Sequence, residues 1–109
     1  MEDKRMADEM KVRAKLKDGI TTVKAIIYHP MESGSRKDKE TDELIPAHFI
    51  KEVKAELNGE MIFSADWGTG VSKNPYWSFE FDGAKAGDTV KITWTDNLGE
   101  SGEGEAVIK

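Results

Sequence analysis

From Met10 the chain alternates. Met10, Val12, Ala14 and Leu16 are apolar, and the positions between and after them, Lys11, Arg13, Lys15 and Lys17, are all cationic. A period of two predicts a half-buried strand with its cations outward. Asp18-Gly19 is a turn signal. The stretch after it, from Ile20, is rich in β-branched residues and becomes continuously apolar at Ala25-Ile26-Ile27-Tyr28, which predicts a central strand. His29-Pro30 ends it, because proline cannot donate to a ladder. Residues 31–47 form a long polar connection, densely charged over 36–43. Loops beyond about 12 residues inside a domain are often functional or mobile.

The second half repeats the two-residue pattern. Val53, Ala55 and Leu57 are inward on the next predicted strand, and Asn58-Gly59 is the strongest hairpin signal in the chain. The return strand is expected to carry Met61, Phe63 and Ala65 on one face. An irregular stretch over 66–75 leads to Trp77, Phe79 and Phe81, and a further strand carries Val90, Ile92 and Trp94 inward. A last strand over 102–109 is diluted with glycine. About seven short strands without a helical segment predict an immunoglobulin-like β-sandwich of antiparallel strands. Residues 1–9 are polar and aperiodic, and read as a disordered arm before a single domain over 10–109. Met6 is a plausible natural start, with the residues before it an extension.

Composition narrows the function. At 109 residues, 38% hydrophobic and 34% charged, the chain has the make-up of one soluble domain. A net charge of −5 argues against a nucleic-acid binder. No apolar run approaches the roughly 20 residues of a membrane span, and the charged N-terminal residues carry no secretory signal of their own. The chain has no cysteine, which excludes disulfides and thiolate chemistry.

Candidate chemistry is sparse. His29-Pro30-Met31-Glu32 gathers an imidazole, a thioether and a carboxylate at a strand end, without metal-ligand spacing. The carboxylates of the charged loop, and Glu100, Glu103 and Glu105, read as solvated surface. No nucleophile elbow occurs, and Gly68-Thr69-Gly70-Val71 lacks a phosphate-loop lysine. We therefore expect no catalytic, cofactor or metal residues. Trp77 and Trp94 fall in the core phase, whereas Tyr76 faces away from it and Trp67 flanks the irregular stretch. Trp and Tyr are interface residues by preference. The residues alone lead to a non-catalytic binding or scaffolding β-domain. Two other classes stand beside it. One is a free-standing binding module, for a carbohydrate for example, that stacks its ligand on Trp67, Tyr76 and Trp77. The other is a small metalloenzyme using His29, His48 and nearby carboxylates.

Several segments resemble the SoxZ family. Ile26-Ile27-Tyr28-His29-Pro30-Met31-Glu32-Ser33-Gly34 resembles its ISHPMETG segment. In family order there follow Leu44-Ile45-Pro46-Ala47-His48-Phe49-Ile50, Leu57-Asn58-Gly59-Glu60, Asn74-Pro75-Tyr76-Trp77-Ser78-Phe79 and Thr93-Trp94-Thr95-Asp96-Asn97-Leu98-Gly99. The likeness covers about residues 8–109, with 1–5 and 36–43 poorly matched. It implies an immunoglobulin-like, non-catalytic subunit that forms a heterodimer with SoxY, whose cysteine carries sulfur intermediates of thiosulfate oxidation covalently. It further implies a periplasmic complex, exported with SoxY, that transiently meets other sulfur-oxidation enzymes. Neither nucleic acid nor membrane is an expected partner. Without cysteine, this chain would pair non-covalently. We expect the partner-facing surface at His29, Pro30, Met31, Glu32, Trp67 and Tyr76.

Overall fold

The computed structural model describes residues 10–109. The arm expected over 1–9 and the extension before Met6 lie outside the described residues. Seven strands follow in order: β1 (Met10–Lys17), β2 (Ile20–Ile27), β3 (Ile50–Leu57), β4 (Glu60–Asp66), β5 (Tyr76–Asp82), β6 (Thr89–Asp96) and β7 (Ser101–Val107). All pairings are antiparallel, in one sheet ordered β1-β2-β5 and another ordered β4-β3-β6-β7. This is the immunoglobulin-like sandwich that the alternation predicts, and β2 is the central strand of its sheet. Asp18 and Gly19, and Asn58 and Gly59, take positive φ at both positions of each pair, as two-residue hairpins demand.

Val23, Ala25 and Ile27 from the first sheet meet Ile50, Val53, Ala55, Val90, Ile92 and Trp94 from the second. The cations of β1 point outward while Met10 and Ala14 are buried, so the predicted register holds. One face assignment needs correction. Phe63 lies opposite Ala55 and Ala65 opposite Val53, but Met61 lies opposite Glu56. A β-bulge at this point inserts Ile62 as an extra residue and turns Met61 away from the face of Phe63. Met61 is accordingly 57% exposed.

The two flanks differ. On one, β1 closes onto the end of the chain. The Leu16 N–H donates to the Lys109 carbonyl at 2.9 Å, and the Lys109 N–H to the Ala14 carbonyl at 3.2 Å. Glycine makes this approach feasible: a Cβ at Gly104 would stand 2.8 Å from Met10 Sδ and 3.1 Å from Val12 Cγ2. On the other flank, β4 and β5 are the edges of different sheets and are not paired. Aromatic rings fill the space between them, with Phe63 5.4 Å from Trp77 and 5.5 Å from Phe79.

Candidate functional site

Three polar residues meet at one end of the sandwich, each one step of alternation beyond an inward row. His29 follows Ile27, Asp96 follows Trp94, and His48 precedes Ile50. Two asparagines fix the backbone around the histidines. Asn74 Oδ1 accepts the His29 N–H at 3.0 Å, and the Asn74 N–H donates back to the His29 carbonyl at 2.9 Å. Asn97 Oδ1 accepts the Phe49 N–H at 2.8 Å, and its Nδ2 donates to the Ala47 carbonyl at 2.9 Å.

The result is a clasp on one carboxylate. His29 Nε2 lies 3.0 Å and His48 Nε2 2.8 Å from Asp96 Oδ2, while Asp96 Oδ1 accepts the N–H groups of Leu98 at 3.0 Å and Glu100 at 2.8 Å. Four donors thus converge on a side chain that is only 1% exposed. Burial penalises its charge. The bonds from His29, the Glu100 N–H, His48 and the Leu98 N–H outweigh that penalty and hold the carboxyl below the ordinary aspartate value. His48 Nε2 also lies 3.1 Å from Glu100 Oε1.

The ligand atoms of His29, His48 and Asp96 all lie within 4.8 Å of one another, a spacing that invites comparison with a metal centre. The tautomer argues otherwise. His29 Nδ1 accepts the Met31 N–H at 3.1 Å, so the ring hydrogen sits on Nε2 and points at Asp96. Metal ligation through Nε2 would move that hydrogen to Nδ1, facing another donor. A metal-bound imidazole instead gives its second N–H to an acceptor. The arrangement is suited to hold three segments together: the turn after β2, the approach to β3 and the end of β6.

Beside the clasp, the turn at 30–36 faces the loop at 69–73 across an open cleft of about 580 Å³, lined among others by Pro30, Glu32, Arg36, Val71 and Lys73. The turn is pinned to the approach of β3, since Glu32 and His48 exchange backbone hydrogen bonds of 2.7 and 2.9 Å. Glu32 is also ion-paired with Arg36.

The residues expected at a partner surface divide. Pro30 is exposed, Glu32 half-buried, and both line the cleft. Tyr76 is 60% exposed on the outer face of the first sheet. Trp67 is half-buried against Trp77, with ring centroids 6.0 Å apart and planes at 81°. His29 and Met31 lie inside, Met31 with positive φ and its Sδ 3.3 Å from the Ile50 N–H. The stacking platform of Trp67, Tyr76 and Trp77 is not formed, because Tyr76 and Trp77 are consecutive strand residues on opposite faces. Sequence reasoning missed Asp96 as the centre of the clasp. The signal was available in the inward phase of Val90, Ile92 and Trp94, extended by one step.

The chain matches the family model described as Sulphur oxidation protein SoxZ over residues 10–107. No curated protein matches it.

Proposed function

The chain belongs to the SoxZ family of sulfur-oxidation proteins, and from that premise we propose that it is the non-catalytic subunit of the SoxYZ carrier complex. It pairs with SoxY, which carries sulfur intermediates covalently during thiosulfate oxidation, and travels with SoxY to the periplasm. The family match across nearly the whole chain is the observation that carries this reading. The clasp is compatible with it: the Asp96 carboxylate is taken up by four donors, and His29 Nδ1 already accepts a backbone N–H. Neither group is free to serve as a general base. Pairing is non-covalent, as the chain has no cysteine. Its contacts fall at Pro30 and Glu32 on the cleft and at Trp67 and Tyr76 beside it, while His29 and Met31 act from inside by holding the turn in shape.

Co-expression with SoxY tests the pairing. The two chains are expected to purify together, and the purified chain alone to leave thiosulfate unchanged. Separate elution, or turnover by this chain alone, would overturn the reading. Within the complex, Trp67→Ala and Tyr76→Ala, checked for folding by circular dichroism, are each expected to weaken SoxY binding more than tenfold, or at least about 2 kcal/mol. Met31→Ala is expected to act through the shape of the turn.

A further inference from the structure

β1 and β2 together hold five of the 16 lysines and arginines and none of the 21 carboxylate residues. Lys11, Arg13, Lys15 and Lys17 stand on the outer face of β1, and Lys24 lies directly opposite Arg13. Like charges at facing positions destabilise a sheet. None of the five ion-pairs with a carboxylate among the described residues. Among the described strands, only β5 brings carboxylates to this face, Glu80 and Asp82, at one end. At the other end, Ile26 and Tyr76 add apolar surface to the row that Lys11 begins across the three strands, and Tyr28 follows, leading to Pro30 at the cleft. Successive outward residues on a strand are about 6.8 Å apart, so the cationic row runs for ~20 Å.

We infer that this outer face is a docking surface for an acidic protein face, presented by the pairing subunit and steered onto it by charge. The inference rests on the reading above and adds which face is used and what chemistry the partner offers. A local excess of cations on a chain of net charge −5 sets up a field that an acidic partner senses before contact. Tyr76 and Ile26 supply apolar anchorage at the cleft end, of the tyrosine-bearing kind that protein interfaces prefer. The face therefore favours a protein over a lipid or nucleic-acid surface.

The test uses the full chain and purified SoxY, with association and dissociation rates measured over a range of salt. One variant combines Lys11→Glu, Arg13→Glu and Lys15→Glu. A control of equal net charge combines Lys39→Glu, Lys51→Glu and Lys85→Glu, and all six positions are exposed. The parent is expected to associate more slowly as salt rises. The first variant should lose about tenfold in association rate at low salt, with dissociation little changed. The control should stay within about twofold of the parent. Equal effects of the two variants, or none from either, with SoxY still bound, overturn the inference and leave the pairing intact. Sedimentation of the parent with phosphatidylcholine–phosphatidylglycerol vesicles, lost in the first variant while SoxY rates stay unchanged, overturns it in favour of a membrane. Failure of the parent to bind SoxY under any salt condition defeats the pairing itself.

Discussion

Where β7 faces β1, its inward residues are Gly102, Gly104 and Ala106; where β5 faces β4, they are Trp77, Phe79 and Phe81. Small residues let two backbones approach, and the flank closes with hydrogen bonds between β1 and Lys109. Large rings hold the other pair of edges apart and stay half-exposed themselves. A sandwich buries its core by either means, but only the first satisfies the edge groups it brings together. The Asp96 clasp adds a second tie between sheets, because His29 lies in the turn after a strand of one and Asp96 ends a strand of the other. The untied flank leads through Trp67 into the loop that borders the cleft. Half-exposed aromatic surface is thus left where the chain does not close on itself.

Removing the tie at Asp96 should cost most. Asp96→Ala leaves two imidazole donors and two backbone N–H groups without their acceptor, and the fold is expected to lose about 3 kcal/mol in urea denaturation. Next comes the closed flank. Gly104→Val drives a branched side chain into Met10 and Val12, and should cost about 2 kcal/mol by the same measurement. On the open flank, Phe79→Ala should cost about 1.5 kcal/mol, below the 3–5 kcal/mol of a fully buried ring. An equal or larger loss there would mean that the aromatic flank ties the sheets as firmly as the closed one.

The smallest effect is in acid. Asp96 has a lowered pKa in the fold, so the native chain binds fewer protons than the unfolded chain between the unfolded value of about 3.9 and the lower folded one. Its contribution is complete above that window and is lost as pH falls through it. The stability difference between the parent and Asp96→Asn, read by denaturation at successive pH values, should therefore shrink below about pH 4.

The strands were legible because a period of two is local. Met10 to Lys17 and Val90 to Trp94 reveal their buried faces without any knowledge of their partners. The hairpins at Asp18-Gly19 and Asn58-Gly59 were equally local, since positive φ is written in those residue types. The extra residue in β4 was not legible. A bulge depends on how two strands meet, and Met61, Phe63 and Ala65 alternate as well with it as without it. The inward phase of Asp96 was local, but its meeting with the histidines was hidden for the same reason, since they stand 67 and 48 residues from it. Met31 looked like an interface thioether at a strand end, but its left-handed backbone carries the side chain inward to the β3 approach.

Amide hydrogen exchange of the chain, free and mixed with SoxY, tests most directly whether the unclosed surface is the one a partner covers. Slower exchange on mixing is expected over the turn at 29–36 and the segment at 67–76, with the Asn58-Gly59 hairpin between β3 and β4 of the other sheet unchanged. Unchanged exchange in both segments, in a sample where SoxY is demonstrably bound, would contradict it.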